Sequence, residues 1–110
     1  MHFSDTLKTL PGIQHLAGLQ LLDQDGAVVA TLDNRPGQAG SVAVYHALAE
    51  RHGAINTGAA LDGLALYAEH TTDAHAFPGK HPNIDRLVAI AAGVLGPLQV
   101  RLLPTESPCP

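Results

Sequence analysis

The chain has 110 residues, 45% of them hydrophobic and 15% charged, with a formal charge of -4 and only six Lys plus Arg. That length makes one domain whose core needs neither metal nor disulfide staples, and the absence of Trp predicts an aliphatic interior. So few cations exclude an electrostatic grip on nucleic acid or an anionic membrane; no apolar run reaches the ~20 residues that span a bilayer, and residues 1–5 lack the layout of an export signal, so the cytoplasm is the expected compartment.

Ser4 or Asp5 caps a short leader helix to about Leu10, closed by Pro11 and Gly12. Residues 16–23 and 27–33 are apolar runs joined at Gln24, Asp25 and Gly26, and Asp-Gly between such runs signals a β-hairpin. Pro36, Gly37 and Gly40 make residues 34–40 a loop, after which Ser41 caps a helix over 42–52. Its apolar positions Val42, Tyr45, Leu48 and Ala49 recur at helical spacing, and Gly53 supplies the left-handed stop. Residues 54–62 are ambiguous, since Asn56 or Thr57 can cap a helical turn that Gly58 weakens.

Residues 64–70 read as a third strand, with Leu64, Leu66 and Ala68 on one face and Tyr67 and Glu69 on the other. Pro82 begins a second amphipathic helix whose stripe is Ile84, Leu87, Val88, Ala91 and Leu95, ended by Gly96 and Pro97. Leu98, Val100 and Leu102 then alternate with Gln99 and Arg101 in a last strand. The globular α/β domain spans residues 1–103; residues 104–110 form a flexible tail in which Cys109 is a lone thiol without an internal partner.

The order strand, strand, helix, strand, helix, strand predicts an α/β or α+β fold with a mixed four-stranded sheet, each helix a right-handed crossover to a parallel neighbour. The helices should lie mainly on one face, because Gln20, Thr31, Tyr67, Glu69, Gln99 and Arg101 make the other polar. That open face also suits a homodimer. Ligands gather outside the carboxyl ends of parallel strands, so loops 34–40 and 71–81 are expected to be neighbours. The first offers Arg35, the amides around Gly37 and the Ser41 hydroxyl; the second offers Lys80 and His81, with Tyr67 nearby. A small carboxylate or phosphate metabolite is expected between them. The glycine spacing fits neither the dinucleotide fingerprint nor the P-loop.

Residues 64–87 hold three of the seven histidines in a chain with few charges, interleaved with Glu69, Asp73, Lys80, Asp85 and Arg86. Such crowding has two chemical readings. In one, His70, His75 and His81 with Glu69, Asp73 or Asp85 hold a divalent Zn, Fe, Mn or Ni, although no standard zinc spacing is present. In the other, one of the candidate catalytic residues His70 and His75, or His81, moves a proton while Glu69 or Asp73 orients its ring and Lys80 or Arg35 steadies the developing anion. The bland alternatives are that Asp85 only answers the helix dipole, Arg86 only pairs at the surface, and Tyr67 is only half-buried packing. His46 and His52, six apart on one helix, and His2 and His15 near the leader are not favoured as ligands.

Residues 40–45 (GSVAVY), 66–71 (LYAEHT) and 78–87 (PGKHPNIDRL) together resemble a family of short bacterial proteins known only as a domain of unknown function. The resemblance runs from about Leu10 to Leu103. It implies a bacterial, cytoplasmic, single-domain protein and carries no activity, substrate or catalytic residue. From the residues themselves the leading expectation is a small enzyme acting on an anionic metabolite; the alternatives are a metabolite- or metal-binding regulatory module without catalysis and a structural homodimer subunit.

Overall fold

A computed structural model describes residues 2–105. Its sheet starts at the hairpin that the sequence marks. The Asp23 carboxylate accepts the amides of Asp25 and Ala27, each at 2.9 Å, and Gly26 takes φ 84°, a conformation that costs a residue without Cβ little. This turn joins β1 (Leu16–Leu22) to β2 (Val28–Asp33) in an antiparallel pair. The far edge of β1 pairs, again antiparallel, with β3 (Gln99–Pro104). The sheet therefore has three strands in the order β2-β1-β3. The Thr31, Gln20 and Arg101 side chains line up across it, with Arg101 donating to Gln20 Oε1 at 3.2 Å.

Neither a fourth strand nor a parallel pairing forms among the described residues, which corrects the mixed four-stranded expectation. Residues 64–70 are the reason. They fall instead across the end of α3 (Thr57–Leu66) and the start of α4 (Glu69–Ala76). Taken alone, residues 64–70 alternate with a period of two; extended back through the ambiguous residues 57–62, the buried positions Ala59, Ala60, Gly63 and Tyr67 recur at helical spacing. Asn56 fixes the start, its side chain accepting the Ala59 amide at 2.9 Å. Tyr67 and Glu69 thus belong to the helical layer and not to the polar sheet face.

The central element is α2 (Ala39–His52), buried without a break from Val42 to Leu48. A helix that is apolar all round must be covered all round. The sheet covers one side through Leu19, Leu21 and Leu32; α3 covers another, and α5 (Pro82–Ala91) packs on α3. Leu87, Ile90, Ile55 and Leu98 complete the core. The helix begins at Ala39, earlier than the expected Ser41 cap, with Gln38 as N-cap and no side-chain cap bond. At its other end Gly53, at φ 78°, makes the expected stop. Helix α5 starts at Pro82 as expected, but ends at Ala91, before Gly93 at φ 77°, leaving Leu95 outside it. A short helix, α1 (Phe3–Leu7), leans on α2. Pro104 belongs to β3 and not to a tail, and the Thr105 amide donates to the His15 carbonyl at 2.8 Å; the rest of the expected tail, with Cys109, lies outside the described residues. No helix among the described residues is long and apolar enough to cross a membrane.

One glycine is set by close approach. A Cβ on Gly18 would overlap the Leu32 carbonyl oxygen and crowd Asp33 Cα at 3.2 Å. Backbone atoms cannot swing aside, so Gly18→Ala is expected to cost about 2 to 3 kcal/mol. Thermal unfolding followed by circular dichroism should show Tm lower by about 10 °C, and an unchanged Tm would refute this packing.

Candidate functional site

The cleft forms where the start of α2 meets the corner between α3 and α4. Tyr67 closes α3 as its C-cap residue and is 4% exposed. Its phenol donates to Ser41 Oγ, in the first turn of α2, at 2.7 Å. Burial, helped by the neighbouring Tyr45, holds the Tyr67 phenol above its ordinary pKa, so it stays a neutral donor. The Ser41 O–H is then free to donate in turn.

Ala68 makes the corner. It has φ 54° and ψ -120°, the one positive φ outside glycine among the described residues. The Thr71 hydroxyl, donating to the Leu64 carbonyl at 2.6 Å, cements the turn. The chain then re-enters a helix with His70 in its first turn. From α1, the Phe3 ring stacks on Tyr67 with centroids 5.3 Å apart and meets His70 edge-on at 5.0 Å. Gly40 makes room for it: a Cβ there would lie 3.0 Å from the Phe3 ring.

His81, the N-cap residue of α5, closes the far side with its ring centroid 5.8 Å from that of His70. Its Nε2 lies 2.6 Å from Asp73 Oδ2, which also receives Lys80 Nζ at 3.0 Å. The hydrogen bond from His81, then that from Lys80, holds the Asp73 carboxyl below the usual carboxylate range. An ionised Asp73 only accepts, so Nε2 is the donor, and Nδ1 of the neutral ring is left as its acceptor. The cleft has a volume of about 360 Å³; Phe3, Leu7, Ala39 and Ile84 form its apolar walls, and Gly37, Gly40, Ser41, Tyr67, His70 and His81 complete it.

Residues 3–101 match a family described as an uncharacterized protein conserved in bacteria (DUF2322). The chain belongs to that family. No curated protein and no solved structure matches the chain.

In this DUF2322 member, five of the residues singled out from the sequence, Gly37, Ser41, Tyr67, His70 and His81, line one cleft, and Asp73 stands behind His81. The other candidates lie elsewhere. Arg35 is exposed and faces Asp33 at 3.9 Å. Lys80 is held by Asp73 and sits 5.2 Å over the Phe77 ring. Glu69 serves α1: its carboxylate accepts the Phe3 amide at 2.6 Å and lies 3.7 Å from His2. It does not orient an imidazole of the cleft. His75 is exposed on α4, and among the described residues no group of three or more His, Cys, Asp or Glu side chains is placed to hold a metal ion. The set His70, His75 and His81 is therefore not a preformed metal centre, because a helix carries residues five apart to different sides.

Asp85 accepts the Gly79 amide at 2.9 Å and so staples the second loop. Arg86 is not a surface pair: it donates to Asn83 Oδ1 at 2.8 Å and to the Tyr45 hydroxyl at 3.2 Å. The Tyr45 hydroxyl itself donates to the Asn83 carbonyl at 2.6 Å; burial pushes its pKa up to about 12, against the pull of Arg86. Sequence reasoning missed Phe3, Leu7 and Ile84 as cleft walls. Phe3 and Leu7 are four apart in the leader helix, and that spacing was the available signal.

Two outcomes test this geometry. Ala68→Gly relieves the positive φ, and is expected to stabilise the fold by about 1 kcal/mol, read as a rise in Tm of several degrees. A fall in Tm would mean that residue 68 does not hold this conformation. A native Asp73 with a depressed pKa lends stability that is complete above the ordinary aspartate value of about 4 and is lost as the pH drops through the native value. Wild type should therefore outmelt Asp73→Asn by a constant margin from pH 5 to 8, and by a shrinking one below pH 4. A margin that grows in acid would reverse the sign and refute the pairing.

Proposed function

We propose that this protein is a small enzyme acting on an anionic metabolite in the cleft, with His81, oriented by Asp73, as the proton-transfer group. The supporting observation is that Ser41, His70 and His81, from three separate segments, face one cleft while Asp73 holds the His81 ring. Imidazole suits the role because its ordinary pKa of about 6.5 is close to neutral pH. The carboxylate partner fixes the tautomer and the orientation of the ring. The first turn of α2 has no side-chain cap, and the Ala39 amide is taken by the Arg35 carbonyl at 2.8 Å, so the amides of Gly40 and Ser41 and the Ser41 hydroxyl are the groups that favour a negative group beside them. Neither nucleic acid nor membrane enters the reading, and its setting is the cytoplasm.

A thermal-shift screen of carboxylated and phosphorylated metabolites tests the binding half. A ligand at 100 times its Kd adds about 2.7 kcal/mol, which is a rise of several degrees in Tm, and Ser41→Ala or His70→Ala should remove most of it. For each hit, His81→Asn is expected to keep the shift and cut turnover by about 100-fold or more. Absence of any hit, or hits indifferent to both cleft substitutions, counts against the reading. Turnover absent even in wild type would leave a binding module, and turnover untouched by His81→Asn would remove His81 from the chemistry.

A further inference from the structure

We infer that the ligand's head group is a monoanionic carboxylate carried by a compact apolar body, and that phosphorylated metabolites are poor ligands; this rests on the proposed function above. The ground for it is where the fixed positive charges stand. The chain has six Lys and Arg, and none of them lines the cleft. Lys8 is exposed at the end of α1, Arg35 faces Asp33, Lys80 is taken by Asp73, Arg51 by Asp62, and Arg86 by Tyr45 and Asn83. Arg101 lies on the sheet against Gln20. What faces the ligand is a hydroxyl, two imidazoles and the backbone around Gly40.

A phosphate monoester carries about -1.5 to -2 charges at pH 7, and proteins match that with Arg forks or Lys. The Ser41 hydroxyl, the His70 ring and the amides of Gly40 and Ser41 suffice for one negative charge. The Asp73 and Lys80 pair behind His81 is neutral as a whole and supplies no net positive charge for a second. The remaining walls are apolar: Phe3, Leu7 and Ile84. A volume of about 360 Å³ lies near the small end of the ~300 to 1,000 Å³ range of ligand pockets, which fits a body the size of one ring or a short branched chain. The Phe3 ring, stacked on the buried Tyr67 and lining the cleft, offers that body an aromatic surface.

Three probes that share a phenyl group separate the possibilities: phenylacetate, phenyl phosphate and benzyl alcohol, titrated into the full chain and followed by amide shifts of Gly40 and Ser41. Phenylacetate is expected to shift both, with a Kd at least tenfold below those of the other two. In Ser41→Ala, checked for native spectral dispersion, that preference over benzyl alcohol should shrink several-fold, with the Gly40 amide as the reporter. Phenyl phosphate binding as well as or better than phenylacetate overturns the head-group assignment while leaving an anion site in place. Benzyl alcohol matching phenylacetate overturns charge recognition altogether. Silence of both amides towards all three probes at millimolar concentration removes the cleft as a binding site, and the proposed function with it.

Discussion

The whole architecture answers to one constraint, that α2 must be covered on every side. Seven consecutive residues from Val42 to Leu48 are buried, and each large apolar side chain removed from water contributes about 1.5 to 3 kcal/mol. A lone sheet can cover one side of such a helix only. The remaining sides explain why residues 57–66 fold as a helix and why α5 returns over it. The one polar member of that run, His46, is 4% exposed, with its ring 5.7 Å from that of His15.

Polar contacts then fix the helices at particular points around α2. At its C-terminal end Asp62 receives Arg51 and His52, both at 3.1 Å. Partial burial would raise the Asp62 pKa, yet the hydrogen bonds from His52 and Arg51 outweigh it, and the carboxyl sits below its ordinary value. At the opposite end Tyr45 and Arg86 tie α2 to the start of α5 through Asn83, and Tyr67 ties the end of α3 to Ser41. These ties bring the beginnings of α2 and α5 together. The cleft is the gap that such a convergence leaves, roofed by Phe3 from α1.

Much of this was readable from the residues, and the failures have a common origin. The hairpin, the body of α2, the proline start of α5 and the alternation in β3 each rest on local chemistry: Asp25 and Gly26 in a turn, Gly53 at a helix end, Pro82 at a helix start. Residues 64–70 look like a strand because five residues of Leu, Ala and Tyr followed by Glu69 and His70 satisfy two periods at once, and only the neighbouring Ala59, Ala60 and Gly63 break the tie. The juxtaposition of Gly37, Ser41, Tyr67 and His81 was anticipated for a different reason from the one that holds. Parallel strand ends were expected to gather the loops; helix starts joined through Tyr45 and Asn83 gather them instead. Which imidazole meets which carboxylate is tertiary information: Glu69 and Asp73 look equivalent in the chain, and only the fold gives one to an amide and the other to a ring.

The antiparallel seam between β1 and β3 has a temporal consequence. Gln20 and Arg101, which touch across it, are separated by 81 positions, and every helix that packs on α2 except α1 lies between them in the chain. On the ribosome the hairpin and all the helices described emerge before β3 does, so the central strand waits with one edge open until β3 follows. Contacts this distant in sequence slow folding, and an unpaired edge on a waiting intermediate invites pairing with another nascent copy. By pairing with β1, the strand β3 closes the edge that the hairpin by itself leaves open.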